Sequence, residues 1–269
     1  MQAIAVLTRG YTNIHQYNML IQRNLYISKY LNNIEQTDIL IFHEGNINDI
    51  HQNYIKSKTP NLNVIFICIL EFAFDKSKSS IRFYEPTKMF ALNYRHMCSF
   101  WFVDFWKYVE KYEKIIRIDE DCNIFFNLDM VFYLLNYKAA IFGNWVMDED
   151  KVTYGLNNFM MMFLKNNNLV QRMKQRKPSG PYTNVIGFNM NILRQNKLLN
   201  DYVNEIKVSN NIYRYRWGDL SLWGEALSYF FPPSFYLKLN KIKYYHGSHN
   251  QHVENGSNVN KVNALFNFK

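Results

Sequence analysis

Cysteine is scarce in this chain, and no apolar run is long enough to cross a bilayer. The three cysteines, Cys68, Cys98 and Cys122, are odd in number, widely spaced and set among apolar residues. This pattern argues against a disulfide framework and predicts reduced core thiols in a cytosol-like compartment. The first residues read as a strand, without a charged leader or cleavage signal. We therefore expect a cytoplasmic protein with no transmembrane segment.

Acidic residues are outnumbered, because 31 Lys and Arg stand against 22 Asp and Glu, for a formal net charge of +9. Such a balance favours an anionic partner: a nucleotide diphosphate, a nucleic acid or a membrane surface. The basic residues are scattered, apart from the run at 172–177, which is more typical of a solvated helix end than of a nucleic-acid patch. A nucleic-acid-binding protein is thus the weaker interpretation, and no nucleic-acid partner is expected.

Breaks in the chain are few, and the strongest is the Pro-Ser-Gly-Pro segment at 178–181. A loop at a sheet edge explains it as well as a domain boundary does. With 48% hydrophobic and 17% aromatic residues, the chain has the material for one continuous core. We expect a single domain over residues 1–250 and a polar, Asn-rich tail over 251–269.

The first third alternates short apolar runs with amphipathic stretches. Strands are predicted at 3–7, 38–42 and 64–70, and helices at 17–31 and after Asn48. This βαβαβ pattern predicts an α/β fold with a Rossmann-like, mostly parallel central sheet flanked by helices. Further on, the pattern predicts helices at 90–113, 128–136, 193–206 and 219–229, strands at 115–118, 139–142 and 242–245, and a strand or buried helix at 154–164.

Polar residues follow the first two predicted strands. Ligands of parallel sheets bind at the carboxyl ends of the strands. Thr8 and Arg9 occupy the first of these ends, so we predict that they contact a nucleotide. Residues 43–45, His-Glu-Gly, occupy the second end and are candidates too, although turn formation explains such residues as well.

The predicted strand at 115–118 stops at two carboxylates, Asp119 and Asp121. Like charges two residues apart repel and are costly to desolvate, so a cation or a hydrogen-bond network usually offsets them. Mg²⁺ and Mn²⁺ prefer oxygen ligands and are commonly held by one or two carboxylates together with phosphate oxygens. The alternative is a solvated acidic turn.

Three segments, in the same order, resemble the fungal α-1,2-mannosyltransferase family, family 15 of the glycosyltransferases. Residues 93–100, Asn-Tyr-Arg-His-Met-Cys-Ser-Phe, resemble the family signature Tyr-Arg-His-Met-Cys-Arg-Phe/Tyr. Residues 117–121 lie where the family has Arg-Val-Glu-Pro. Residues 215–219, Tyr-Arg-Trp-Gly-Asp, resemble Glu-Arg-Trp-Gly-Asp, and residues 243–246 follow where the family has Gly-Tyr-x-His.

The resemblance implies a GT-A fold, a nucleotide-sugar donor and a divalent metal. GDP-mannose is the favoured donor, with a UDP-sugar as the alternative, and Mn²⁺ is the favoured metal over Mg²⁺. Asp119 falls on the family's metal-site Glu and His246 on its metal-associated His, whereas Asp121 completes an Asp-x-Asp that the family lacks. Tyr94 and Arg95 would lie near the nucleotide, with Arg95 able to pair with phosphate oxygens.

Carried over in the same way, Arg216 and Trp217 are candidates for binding the acceptor or the sugar. The Trp217 ring offers a face to a sugar, and core packing is the competing explanation. Asp219 would orient or deprotonate the acceptor hydroxyl, and the competing role is that of a helix N-cap.

One departure from the family concerns its proposed nucleophile, a Glu in the segment Ser-Asn-Phe-Glu-Ile. The matching segment here begins at Thr183 and places Ile186 at that Glu, which excludes a covalent intermediate on this residue. Retention could proceed by front-face departure and attack near Asn184. Inversion could use Asp219 or Glu225 as the base.

A second departure is the lack of the membrane anchor of the fungal enzymes, which suggests glycosylation in a cytosol. The bias toward Asn, Lys, Ile and Tyr is typical of an A+T-rich genome such as that of a large DNA virus, for which the host cytoplasm or the virion would be the location. The sequence thus predicts a metal-dependent glycosyltransferase that moves a hexose from a nucleotide diphosphate to a glycan or protein-linked hydroxyl. The alternative is an inactive GT-A relative that binds a glycan or a nucleotide sugar.

Overall fold

A computed structural model describes residues 1–172 and 176–259 of the 269-residue chain. The described residues contain strands β1 (Gln2–Leu7), β2 (Thr37–His43), β3 (Asn63–Cys68), β4 (Lys114–Ile118), β5 (Cys122–Ile124), β6 (Ala140–Phe142), β7 (Trp145–Met147), β8 (Ser179–Pro181), β9 (Val185–Asn189), β10 (Tyr236–Lys238), β11 (Tyr244–His246), β12 (Gln251–Glu254) and β13 (Ser257–Val259). They also contain helices α1 (Asn18–Tyr30), α2 (Asp49–Lys58), α3 (Leu92–Ser99), α4 (Leu128–Leu134), α5 (Leu156–Asn166), α6 (Met190–Gln195), α7 (Lys197–Ser209), α8 (Asn211–Tyr215) and α9 (Asp219–Phe230).

Seven strands form the central sheet, in the order β10-β6-β9-β4-β1-β2-β3. β1 pairs in parallel with β2 and β4, β2 with β3, and β6 with β10. β9 runs antiparallel to both β4 and β6. The predicted mostly parallel sheet flanked by helices is therefore confirmed, and the carboxyl ends of β1, β2, β3 and β4 meet at one edge.

Side chains of the central strands alternate between two apolar clusters, one on each face of the sheet. In β1, Ala3 and Ala5 belong to the cluster that includes the aromatic residues of α9, whereas Ile4 and Val6 belong to the cluster that includes α1. Strands buried on both faces read as continuous apolar runs. This explains why the sequence identified β1, β2 and β4 without showing alternation.

The strand β9 was not predicted from the sequence. Its run Val-Ile-Gly-Phe-Asn has Gly187 at the centre, and glycine weakens a strand signal. In the structure, Leu135, which follows α4, packs closely over Gly187. A Cβ atom at position 187 would lie 3.0 Å from the Leu135 Cδ1 atom. The glycine therefore serves close packing rather than a turn.

Two of the predicted helices are confirmed in place but differ in form, and the stretch predicted as a strand or a buried helix is a helix. The stretch 193–206 forms two helices, because Asn196 ends α6 and caps α7 by accepting a hydrogen bond from the Leu199 amide. The stretch 90–113 contains α3 and then a π-helical turn over Phe100–Asp104. The stretch 154–164 is the helix α5.

Two thiols, Cys98 and Cys122, are buried and unpaired, as predicted, whereas Cys68 is exposed at the end of the edge strand β3. The expectation of a core position was wrong for Cys68, because the third strand lies at the edge of the sheet. No helix within the described residues combines the length and apolarity needed to cross a membrane.

The chain remains ordered beyond residue 250. A second sheet, β13-β12-β11-β5, is antiparallel throughout and includes residues 251–254 and 257–259. The polar tail that we expected from residue 251 therefore overlaps a sheet, whose alternation of buried Val253 with more exposed neighbours is too short to stand out in an Asn-rich segment. Residues 260–269 of that expected tail, and 173–175 of the basic run, lie outside the described residues.

The Pro-Ser-Gly-Pro segment forms β8, which pairs with β7 and packs directly on α9. The contact is between backbones. A Cβ at Gly224 of α9 would lie 1.7 Å from the Ser179 carbonyl oxygen, and a Cβ at Gly180 would lie 1.9 Å from the Leu220 carbonyl oxygen. Only glycine allows this approach, which holds α9 against the two-stranded sheet of β7 and β8.

We predict that Gly224→Ala will lower the free energy of unfolding, measured in urea, by about 2 kcal/mol or more, because the added methyl forces two backbones apart. Ser228→Ala, on the same helix, adds no atom and should stay within about 0.5 kcal/mol of the wild type. Equal stability of the two variants would show that β8 can move away from α9 at no cost.

Candidate active site

A cavity of about 670 Å³ opens at the carboxyl edge of the central sheet. It is lined from the ends of β1 and β2, from α3 and from the loop after β4. Five of the predicted site residues line it: Thr8, Arg9, Tyr94, Asp119 and Asp121. The sheet therefore brings together the strand-end residues and the acidic pair, as we expected from parallel topology.

Arg117, the fourth residue of β4, joins two predicted site residues. Its Nε and Nη2 atoms donate to the two carboxylate oxygens of Asp119, over 2.7 and 3.0 Å, and its Nη1 donates to Asp219 over 2.6 Å. The guanidinium also lies 4.4 Å from the centre of the Trp101 ring. Burial lowers the pKa of Arg117, but the carboxylates of Asp119 and Asp219 raise it by more, so it stays charged.

Asp219 is not the N-cap of α9. Gly218 is the N-cap of α9, and Asp219 is the first helical residue, with its carboxylate turned to Arg117. The capping interpretation was therefore wrong. Asp219 remains next to the predicted metal-site residue Asp119, through the shared guanidinium.

Asp121 and His246 meet because β5 pairs with β11, in a register that places Cys122 opposite His246. The Asp121 Oδ2 atom lies 3.4 Å from the His246 Nε2 atom and accepts a hydrogen bond from the Ser248 amide over 2.8 Å. Burial lowers the pKa of His246, which keeps the imidazole neutral at neutral pH.

The His246 ring is held on both nitrogens. Nδ1 lies 2.8 Å from the Tyr182 hydroxyl, while the Asn184 amide nitrogen and the Ser248 hydroxyl lie 3.2 and 3.1 Å from Nε2. In the tautomer protonated on Nδ1, the ring donates to the Tyr182 hydroxyl, and the single lone pair of Nε2 accepts from Asn184 or Ser248, or binds an ion that takes their place. This is the arrangement in which an outer partner orients a metal-binding histidine.

A divalent ion can be held by part of the predicted ligand set. The ligand atoms of Asp121, Cys122 and His246 lie within 4.8 Å of one another. Burial raises the pKa of the Cys122 thiol well above its usual range, and sulfur is a softer ligand than Mn²⁺ or Mg²⁺ prefers. Carboxylate and imidazole together suit Mn²⁺. Asp119 does not belong to this group of ligand atoms. The Asn184 amide nitrogen lies between Asp119 and His246, 3.1 Å from the Asp119 Oδ2 atom and 3.2 Å from the His246 Nε2 atom.

Glu120, between the two aspartates, was not predicted as a site residue. Its carboxylate accepts hydrogen bonds from the hydroxyls of Thr8 and Tyr11, at the end of β1. Burial raises its pKa, and the Arg9 guanidinium stacks on the Tyr11 ring. The position of Glu120 between two aspartates was the only signal for it in the sequence. Its contact with the distant residue Thr8 could not be inferred from that position.

Arg95 does not face the cavity, so the prediction that it pairs with phosphate was wrong. Its guanidinium is fully buried, donates to the carbonyl oxygens of Thr87, Phe90 and Tyr213, and lies 3.9 Å from the centre of the Phe83 ring. The helix α3 turns Arg95 inward, whereas the preceding residue Tyr94 lines the cavity.

Trp217 is buried in the core and does not offer a face to a sugar. Its indole N–H donates to the Tyr154 carbonyl, and its ring packs on Phe159 and Tyr215. The competing explanation of core packing is therefore correct. Arg216, with a left-handed φ of +67°, lies behind the cavity wall and donates to the Tyr94 hydroxyl over 2.6 Å.

Glu225 lies two turns along α9 from Asp219 and is fully buried. One carboxylate oxygen accepts a hydrogen bond from Arg176 over 2.8 Å. Burial raises its pKa. Its carboxylate is fully buried against Arg176, whereas Asp219 and Asn184 contact Arg117 and Asp119 at the cavity, so its predicted role as a catalytic base was wrong.

Ile186, the residue at the position of the family's Glu, is buried in β9 opposite Arg117 of β4 and Phe142 of β6. It belongs to the apolar cluster, so the chain has a core residue where a nucleophile was expected in the family. Asn184, two residues earlier, is the polar group that this strand brings to the site.

No protein-family model and no curated protein matches the sequence of this chain. Among solved structures, the mannosyltransferase Ktr4p from S. cerevisiae is similar, with a TM-score of 0.74, 18% identity, and coverage of 91% of this chain and 70% of that one. Its complex with GDP gives a TM-score of 0.70 at 16% identity, with the same coverage.

Core-mannan synthase A (CmsA/Ktr4) from Aspergillus fumigatus, in its Mn/GDP form, also gives a TM-score of 0.74, at 14% identity, over 91% of this chain and 74% of that one. The first of these fungal proteins is a mannosyltransferase by name and the second a core-mannan synthase. The chain therefore has the GT-A glycosyltransferase fold that the sequence predicted, in the form found in Ktr4p and CmsA.

Proposed function

We propose that this chain is a metal-dependent glycosyltransferase of the cytoplasm. It would transfer a hexose, with mannose favoured, from a nucleotide-diphosphate sugar to a hydroxyl of a glycan or glycoprotein. The observation that carries the proposal is the pair of Asp121 and His246 beside a cavity lined by Thr8 and Arg9. GDP-mannose is the favoured donor and a UDP-sugar the alternative, and the Mn/GDP form of the similar CmsA supports the first.

Asp121 and His246 are the ligands that we assign to the metal, with Asp119 as the third predicted ligand. Asp119 would have to share its carboxylate between Arg117 and the ion, because both of its oxygens accept hydrogen bonds from that side chain. Mn²⁺ suits an imidazole better than Mg²⁺ does. When bound, the ion would act as a Lewis acid that stabilises negative charge on the diphosphate leaving group.

Arg9 would add to the stabilisation of this negative charge. The Arg9 guanidinium lies in the cavity at the end of β1, where a diphosphate would approach it, and guanidinium groups bind phosphate in a fork. Thr8 is fixed by its hydrogen bond to Glu120, so its backbone and hydroxyl are held in one orientation. Tyr94 would form the opposite wall, supported from behind by Arg216.

Arg117 would act as a positioning residue. It holds Asp119 at the cavity and Asp219 at the start of α9, so neither carboxylate can turn freely. Asn184, which donates to Asp119, would serve retention by a front-face reaction, and Asp219, which accepts from Arg117, would orient the acceptor or serve inversion. A group held in place by its surroundings loses little entropy when substrate binds.

A second candidate function is that of an inactive GT-A relative that binds a glycan or a nucleotide sugar. The buried Ile186 at the nucleophile position favours it. Hydrolysis of the donor distinguishes the two, since an active transferase usually loses some sugar to water.

We expect the thermal stability of the protein to rise with one class of nucleotide sugar in the presence of Mn²⁺ and to fall back with chelator. A ligand at 100 times its dissociation constant stabilises the folded state by about 2.7 kcal/mol. A panel of GDP- and UDP-sugars, each with Mn²⁺ and with chelator, makes the measurement. The absence of any shift would contradict a donor site.

Asp121→Asn should abolish metal-dependent turnover and leave the fold intact, because the amide loses the charge that binds the ion but keeps its shape. Turnover of the donor against Mn²⁺ concentration, together with circular dichroism, checks both parts. Asp201→Asn, in the exposed pair with Lys197, is the matched control and should retain activity. Full activity of Asp121→Asn would remove the metal site from the proposal.

Arg117→Met should lower the free energy of unfolding by about 3 to 5 kcal/mol, because it leaves the buried Asp219 and the partly buried Asp119 without a counter-charge. Lys197→Met breaks an exposed pair and should cost less than about 1 kcal/mol. Urea denaturation of both variants gives the comparison. A cost as small as that of Lys197→Met would show that Asp119 and Asp219 do not depend on Arg117.

A further inference from the structure

Glu44 is a carboxylate in the cavity to which the proposed reaction assigns no role. It follows His43 at the carboxyl end of β2, the strand next to β1, and lines the cavity together with Thr8 and Arg9. It is half-buried. In doubly wound sheets that bind dinucleotides, an acidic residue serves the ribose of the ligand in a comparable place.

Two hydrogen bonds order the loop that carries Glu44 and keep this residue at the cavity. The Gly45 amide donates to the His43 Nδ1 atom over 3.1 Å, and Gly45 has a left-handed φ of +74° that other residues rarely adopt. Burial lowers the pKa of His43, which keeps its ring neutral and able to accept this bond. The Gly10 amide donates to the Asn46 side chain over 2.9 Å, which ties the loop to the end of β1.

The other three carboxylates of the cavity have partners within the protein. Arg117 binds Asp119, the hydroxyls of Thr8 and Tyr11 bind Glu120, and the Ser248 amide binds Asp121. Among the described residues, no hydrogen-bond donor or cation pairs with the Glu44 carboxylate, and burial alone raises its pKa. A partly desolvated carboxylate without a partner has its full capacity to accept hydrogen bonds from a ligand.

A nucleoside diphosphate can satisfy a carboxylate in two ways. Guanine has two adjacent donors, N1–H and the 2-amino group, whereas uracil has a single N–H between two carbonyl oxygens that would repel the carboxylate. The 2′- and 3′-hydroxyls of ribose form the second pair of adjacent donors. Adenine and cytosine place an acceptor beside their amino group.

We propose that Glu44 is a specificity-determining residue that accepts two adjacent hydrogen bonds from the nucleoside of the donor substrate. The inference rests on the proposed function, since it requires the cavity to bind a nucleotide sugar. It goes further in assigning one side chain to the nucleoside, separate from the residues that would hold the metal and diphosphate.

Isothermal titration of GDP, inosine diphosphate and 2′-deoxy-GDP into wild-type protein and Glu44→Gln, all with Mn²⁺, tests the inference. Inosine lacks the 2-amino group and the deoxynucleotide lacks one ribose hydroxyl. We expect Glu44→Gln to bind GDP about tenfold or more weakly, the range for losing a hydrogen bond to a charged group. The loss should shrink for inosine diphosphate if the base is the target, or for 2′-deoxy-GDP if the ribose is.

Glu35→Gln is the matched control, since Glu35 is an exposed residue outside the cavity. It should bind all three nucleotides as the wild type does. Unchanged affinity of Glu44→Gln for GDP, or the same loss for all three nucleotides, would overturn the inference and leave the proposed function standing. A wild-type protein that binds none of them would overturn both.

Discussion

The site depends on two ion pairs that share the buried guanidinium of Arg117, one with Asp119 and one with Asp219. Removing two carboxylates from water is costly, and a single guanidinium with three donors offsets that cost. The two contacts also join elements that are far apart in sequence, since Arg117 is the penultimate residue of β4 and Asp219 is the first residue of α9. The cavity, the acidic loop and the helix behind it are therefore held in one arrangement before any substrate arrives.

Much of the architecture could be predicted because strands buried on both faces and amphipathic helices are local patterns. β1, β2 and β4 are such strands, and Thr8, Arg9, Asp119 and Asp121 follow from where these strands end. What could not be predicted depends on contacts across the sheet. β9 is hidden by its central glycine, and the partnership of Thr8 with Glu120 joins residues 112 apart in sequence.

The wrong assignments share a cause. Arg95, Trp217 and Glu225 have side chains that bind phosphate, stack on sugars or accept protons in solution-facing sites, yet each is buried here with partners of its own. A motif shows which residue type is present but not whether its side chain faces the cavity or the core. For Arg117 the error ran the other way. Its position inside an apolar strand indicated a purely structural residue, so its contacts with both aspartates were not predicted.

Asp121 and His246 can meet only after β5 has paired with β11. The hydrogen bond from Ser248 to Asp121 spans 127 residues, so it closes one of the long loops of the chain. Closing so long a loop has an entropic cost, which the packing of β5 against β11 must offset before the pair can form. Side chains alternate along a strand, so a slip by one residue would present Tyr245 instead of His246. Affinity for the ion would thus mark chains that have completed folding in the correct register.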